Sequence, residues 1–215
     1  MKLCNRVGIL LLSCCFAGSI ALAQQGGQGG QGGPPPAPVA PTITSTLQFQ
    51  LAILERESES IAEAMPEDKY NFAPTNGNFA GVRTFAQQVK HIATTNDRLF
   101  DSILGNTPPA GPDESIASNG PDSIVTKAQI VQYLKDSFAL GHKAIATITA
   151  DNAVTPLPNP ATGFLNTRMA LAIFACTHGM DHYGQIVEYL RDTGGTPPMS
   201  AGRPPANPPA AASKK

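Results

Sequence analysis

Thr162–Gly195 reads TGFLNTRMALAIFACTHGMDHYGQIVEYLRDTGG, and this stretch decides the fold. Leu165, Met169, Ala172, Cys176, Tyr183, Val187 and Leu190 recur at steps of three, four or seven, one stripe of an α-helix. Leu171, Phe174 and Ile186 lie on other sides, so the helix, about Thr162–Thr193, is expected to be the most buried of the chain. It stops at Gly194-Gly195 with Pro197 just beyond, a glycine end followed by a residue that cannot continue a helix.

Three further segments carry the same period. Over about Ser45–Met65, Leu47, Leu51, Leu54, Ile61 and Met65 alternate steps of four and three, with Ser58 in the one missing place and a capping box at Ser45-Thr46-Leu47-Gln48. Over about Ala80–Leu104, Phe85, Val89, Ile92, Leu99 and Ile103 form a stripe that ends at Gly105-Asn106 ahead of Pro108. A third helix opens on the capping box Thr126-Lys127-Ala128-Gln129 and runs to about Ala150, with Val131, Leu134, Phe138 and Ile145 on one face. No alternating run is long enough for a sheet. The reading is an all-α four-helix bundle with connections of about 15, 21 and 11 residues. Gly105–Ser123, with Pro108, Pro109, Pro112 and Pro121, is long enough for a lid or a crossover.

The bundle occupies residues 42–196 of a 215-residue chain. Residues 1–23 have a basic start (Lys2, Arg6), an apolar stretch and the small-residue site Ala21-Leu22-Ala23, the pattern of a signal peptide cleaved after Ala23. A lipoprotein attached at Cys14 is the lesser alternative, because Leu12 is large for a lipobox and the apolar stretch continues past Cys14. The expected location is therefore periplasmic or secreted. Residues 24–41 (QQGGQGGQGGPPPAPVAP) and 197–215 are Gly/Pro- and Pro/Ala-rich, and both are expected to be disordered, a linker and a tail. No transmembrane segment is expected in the mature chain, since the only long apolar run is short and interrupted by Ser13, Gly18 and Ser19. Cleavage removes Cys4, Cys14 and Cys15, which leaves Cys176 and no intramolecular disulfide.

Between Thr42 and Thr196 there are 10 Lys/Arg against 16 Asp/Glu, a formal charge of −6. A nucleic-acid partner would need a basic surface and is not expected. The expected partners are a small-molecule substrate and, in a homodimer, a second copy of the chain.

Four histidines carry the chemistry. His178 and His182 stand at i, i+4, so their imidazoles leave one helical face about a turn apart, close enough to share a metal ion. Cys176, two residues from His178, points elsewhere and reads as a small buried hydrophobe. His91 lies one step off the second helix's stripe and borders the bundle interior. A third imidazole from another helix would give a site with open positions, of the kind that keeps water or substrate bound. His142 falls on the third helix's apolar stripe and reads as a hydrogen-bonded core residue. Gln185 is either a partner of the ligands or a polar surface residue. Asp181 and Glu188 point away from the His178/His182 face, and Gln88 and Thr95, a turn from His91, are not bases. No general base is assigned.

His178-Gly-Met-Asp-His182-Tyr-Gly-Gln185-Ile-Val-Glu-Tyr-Leu190-Arg191, followed by Gly194 and Pro197-Pro198, resembles the closing helix of the DinB-like (DinB/YfiT) metalloenzyme family. Met65-Pro-Glu-Asp-Lys-Tyr-Asn-Phe-Ala-Pro74 and Phe85-Ala-Gln-Gln-Val-Lys-His91-Ile92 resemble its first turn and second helix. Three motifs in the right order span nearly all of the bundle segment. The resemblance implies a four-helix bundle that binds a divalent metal through three histidines, which fall on His91, His178 and His182. Imidazole ligands point to zinc or nickel rather than magnesium or calcium. Members of the family resemble thiol-dependent transferases or hydrolases, so the resemblance implies a metal-dependent hydrolase or transferase. The alternative is a non-catalytic metal-binding or structural bundle.

Overall fold

The protein is described by a computed structural model over residues 39–107, 118–160, 163 and 165–202. Four helices form: α1 Ile43–Ala64, α2 Phe85–Leu104, α3 Lys127–Ile145 and α4 Arg168–Asp192. Single 3₁₀ turns occur at Glu67–Lys69 and Pro198–Ser200, and the only β pairing among the described residues is an isolated bridge between Pro156 and Thr167. The signal peptide, its cleavage after Ala23, the Cys14 alternative and most of the linker and tail lie outside the described residues. No helix of the described residues is long and apolar enough to cross a membrane.

Each helix starts where a side chain can satisfy its first N–H groups. For α1 this is Thr42, whose Oγ1 accepts from Ser45 N while Ser45 Oγ accepts from Thr42 N, three residues ahead of the expected box. Gln48 is not a cap at all: it crosses to α3, where Nε2 donates to the carbonyl of His142 at 2.8 Å. α2 begins at Phe85 rather than near Ala80, because Thr84 and Gln87 form its capping box and the N–H groups of Phe85 and Ala86 are taken by the carbonyls of Phe72 and Tyr70. The Thr126/Gln129 box opens α3 as read from the sequence, but the helix ends at Ile145 instead of near Ala150. Thr147, Ile148 and Thr149 are β-branched, and Asn152 folds the chain there, its carboxamide bonding Thr149 N and Thr147 O. α4 starts at Arg168, capped by Thr167, since Asn166 pairs in extended form with Leu157. The third connection is consequently Ala146–Thr167, about twice its expected length.

Pairings between helices define the topology. Phe100 lies against Gly141, Asn96 Nδ2 donates to Ser137 Oγ at 3.2 Å and Thr94 Oγ1 meets Tyr133 OH at 3.0 Å, so α2 and α3 are parallel neighbours. Gln88 meets Gln185, and Tyr189 OH donates to the carbonyl of Arg83, so α2 and α4 run antiparallel. α1 touches α3 and α4, and the order around the bundle is α1, α3, α2, α4. Parallel neighbours cannot be joined by a hairpin turn. The connection from α2 to α3 is therefore a crossover in topology, and its residues 108–117 lie outside the described residues.

The stripes of α1 and α2 are buried as expected, Ser58 included. On α3, Leu134, Phe138 and Ile145 are buried with Ile130, while Val131 is half-buried. The burial ranking differs from the expectation. α2, not α4, is the most buried helix, with 15 of its 20 residues inside. α4 turns Leu171, Ala172, Ala175, Gly179, His182, Ile186, Val187, Tyr189 and Leu190 inward, so Met169, Cys176 and Tyr183 of the expected stripe are only half-buried. The reason is Gly179: Leu54 of α1 sits where its Cβ would be, at 2.4 Å, which draws that face to the core. At the C-terminal end, Pro197 is buried and Pro198–Ser200 packs on α1, so the first Pro-rich residues belong to the packed structure.

His142 is hydrogen-bonded but not in the core. Its Nδ1 bonds Gln48 Oε1 and its Nε2 bonds Glu55 Oε2 at 2.9 Å, a half-exposed clasp between α1 and α3. Replacement by alanine is expected to lower stability by about 0.5–1.5 kcal/mol with zinc binding unchanged. Denaturant unfolding and a zinc titration check the two halves of that statement.

Candidate metal centre

α2 and α4 bring His91, His178 and His182 to one point. Nε2 of His178 lies 3.2 Å from Nε2 of His91 and 3.1 Å from Nε2 of His182. These are the only three His, Cys, Asp or Glu side chains among the described residues that could hold one ion together. His91 and His182 are 3 % and 6 % exposed, and His178 is half-buried with its ring against Phe174, centroids 5.5 Å apart.

What orients each ring follows from its other nitrogen. His91 Nδ1 donates to the carbonyl of Ser118 at 2.6 Å. Ser118 lies on the crossover, held to α2 by Lys90 Nζ donating to the carbonyl of Pro121 at 2.8 Å. Gly120 permits that approach: its φ is +78°, and a Cβ there would stand 2.7 Å from Lys90 Cβ. His182 Nδ1 is fixed by a chain of three side chains. Gln185 Nε2 donates to Asp181 Oδ2 at 3.1 Å, Gln88 Nε2 donates to Gln185 Oε1 at 2.7 Å, and His182 Nδ1 donates to Gln88 Oε1 at 2.7 Å. An ionised carboxylate only accepts, so Asp181 sets the direction of both carboxamides and thereby the tautomer of His182.

Two of the three Nε2 atoms are thus bare lone pairs, and at most one proton is left to His178 for sharing among the three. That proton can bridge His178 to one neighbour at a time, whereas a cation would be shared by the lone pairs of all three. Ligand nitrogens about 2.0–2.1 Å from one tetrahedral ion are about 3.3–3.4 Å apart, close to the separations found. Electrostatics agree with this fit. Burial lowers the pKa of His91 to about 4, that of His182 to about 3, and that of His178 below its ordinary value, so all three are neutral ligands at pH 7. Cys176 does not join them; burial pushes its thiol up to about 11, and it is no thiolate nucleophile at neutral pH.

Two predictions arise here. Gln88→Ala should weaken zinc binding by about 10–100-fold, because His182 loses the partner that fixes its tautomer, while Gln185→Ala should weaken it less; competition with a chromophoric chelator reads both. The second concerns acid stability of the metal-free protein. The unfolded chain takes up protons on His91 and His182 near pH 6.5 and the folded one only near 4 and 3, so their contribution to stability is full above about 6.5 and is lost as pH falls toward 4. Asp97, raised to about 7 chiefly by burial, works in the opposite sense, its contribution falling as pH rises from about 4 to 7. In an Asp97→Asn background the metal-free protein should therefore lose denaturant resistance steadily between pH 6.5 and 4, and a flat profile would contradict the assignment.

Of the groups that hold the imidazoles, spacing in the sequence offers Gln185 as one alternative, and the structure places it in the chain to His182 through Gln88. Gln88 was visible only as a polar residue a turn from His91, and Asp181 as a carboxylate that points outward. Asp181 is indeed exposed, yet it anchors the chain to His182. Glu188 is exposed and pairs with Arg191 at 2.5 Å. No spacing rule pointed to the carbonyl of Ser118.

Fold and site together define a helical bundle with a buried three-histidine centre compatible with a metal ion. The family model described as the DinB superfamily matches residues 50–186, and the chain belongs to that superfamily. Its fold is similar to that of a conserved protein from Enterococcus faecalis (16% identity, TM-score 0.56, 71% of this chain and 97% of that one). It is also similar to a crystallised protein from Exiguobacterium sibiricum 255-15 assigned to the DinB family (18% identity, TM-score 0.50, 73% and 95% of the two chains). No curated protein matches the sequence significantly.

Proposed function

We propose that this is an exported DinB-superfamily protein that holds one divalent ion, zinc or nickel, on His91, His178 and His182 and uses it in hydrolysis or group transfer on a small molecule. The observation that carries the reading is the convergence of three Nε2 atoms, two of them bare because Ser118 and Gln88 take the protons of the other nitrogens. When bound, a divalent ion supplies Lewis-acid chemistry, polarising a carbonyl or acidifying a water or thiol. The chain's own part is to present neutral imidazoles in a fixed tautomer, in a site buried enough to strengthen their electrostatics.

One observation favours a second reading, a metal-binding module without turnover: among the described residues no carboxylate hydrogen-bonds to any of the three imidazoles. The ion itself is tested by elemental analysis of protein purified without a nickel column, with about one zinc or nickel per chain expected. A metal-free protein that also fails to take up either ion would end both readings. Export is tested separately, by an intact mass of the native protein that begins at Gln24.

A further inference from the structure

Beside the metal centre lies a polar cavity of about 530 Å³, lined by Arg83, Gln87, Gln88, Asn119 and Gln185 with Gly81 and Val82 at its edge. Its size suits a small ligand. Two of its walls, Gln88 and Gln185, belong to the hydrogen-bond chain that fixes His182. Gln88 is 2 % exposed, so the cavity reaches inward to the group touching the imidazole. Arg83 is fixed on the opposite side: its Nε donates to Asn119 Oδ1 at 2.8 Å, and its carbonyl accepts from Tyr189 OH at 3.1 Å. Asn119 follows Ser118, the residue that orients His91, so one short segment of the crossover serves both the metal centre and this wall.

The charge of the wall is the informative feature. Amides and one guanidinium line the cavity, and among the described residues no carboxylate does. Three neutral ligands leave the two positive charges of a bound ion uncompensated, and Arg83 adds a third. With an ion bound, its charge and the Arg83 guanidinium would give this wall a local cationic character within an acidic domain, offset in part by Asp181 behind Gln185, and such a wall suits an anion.

We infer that this cavity receives an anionic group of the substrate, a carboxylate or a phosphate, with Arg83 as the residue that reads its charge and the carboxamides of Gln88, Asn119 and Gln185 as the polar contacts that orient it. Guanidinium is suited to both oxyanions through charge-assisted hydrogen bonds. The inference rests on the metal-centre reading and narrows its substrate to small anionic molecules.

The test uses the zinc-loaded full mature chain, with acetate and inorganic phosphate as probes, followed by ¹H–¹⁵N NMR of the side-chain signals of Arg83 Nε, Gln88, Asn119 and Gln185. At least one probe should shift these signals saturably. Arg83→Gln should weaken that binding by about tenfold or more, and Arg83→Lys by less, since it keeps the charge. Zinc affinity should change by less than roughly threefold in both variants, because Arg83 is not a ligand. Saturation by acetate alone would assign a carboxylate, and by phosphate alone a phosphate ester or anhydride. Absence of any shift up to about 100 mM of either probe, or equal affinity in Arg83→Gln, overturns the inference while leaving the metal centre intact. Failure of the wild-type chain to hold zinc overturns the metal-centre reading and this one with it.

Discussion

Alanine at His91, His178 or His182 is expected to lower zinc affinity on the order of a thousandfold, while far-UV circular dichroism stays close to that of the wild type. The size of the effect follows from the number of candidate ligands: among the described residues no carboxylate joins the three imidazoles, so removing one leaves two. The three replacements should nevertheless differ in their side effects. His91→Ala releases the carbonyl of Ser118 and should increase proteolysis of the crossover, because that hydrogen bond spans α2 and the connection. His182→Ala leaves the Gln88 carboxamide, 2 % exposed, with one buried partner fewer and should cost about 1–3 kcal/mol in the metal-free state. His178→Ala, half-buried and packed on Phe174, should disturb the metal-free fold least. Equal zinc affinity in any of the three variants and the wild type would remove that residue from the site. Calorimetric titration of each metal-free variant provides the measurement.

Phe100→Ala is expected to be among the most damaging core substitutions, lowering stability by about 3–5 kcal/mol. The ring is fully buried and stands against Gly141 of α3. A Cβ on Gly141 would lie 2.5 Å from Phe100 Cε2 and 2.9 Å from Leu51 Cδ2, so the ring occupies the space that the missing side chain leaves. Gly141→Ala alone therefore carries two opposed terms. The helix gains about 1 kcal/mol from the better helix former, and overpacking against a rigid ring costs about 1–3 kcal/mol, so the net should be destabilising. In the Phe100→Ala background the obstructing ring is gone, and the same Gly141→Ala change should stabilise. This reversal of sign, a coupling of about 1–3 kcal/mol in a double-mutant cycle, is what urea unfolding should show. Additive effects would mean that the two helices can separate at this contact without loss.

Helix existence was legible in the chain because burial and periodicity coincide. Leu47, Leu51, Leu54, Ile61 and Met65 repeat on one face of α1 and are all buried, as are Phe85, Val89, Ile92, Leu99 and Ile103 on α2. Boundaries were less legible where side chains near a helix end had two possible partners. Thr42 rather than Ser45 caps α1, since Gln48 is recruited by His142 across the bundle, and only the presence of α3 makes that the better use of its carboxamide. The inward face of α4 differs from the expected stripe for a related reason: glycine carries no weight in a hydrophobic stripe, yet at Gly179 the Leu54 side chain of α1 takes the place of a Cβ.

The chemistry divides in the same way. The spacing of His178 and His182 follows from helical geometry alone, and the resemblance of the flanking motifs supplied His91 as the third member. Sequence by itself therefore determined the residue types, the helical spacing of two of them and the four helices of the bundle. Only the tertiary structure decided that α2 and α4 are adjacent and antiparallel, which is what brings His91 within 3.2 Å of His178. It also decided that a crossover returns Ser118 to His91, and that an exposed Asp181 reaches His182 through two glutamines. These arrangements depend on contacts between residues up to 106 positions apart, set by how whole helix faces pack, and no local period in a chain encodes which faces will meet.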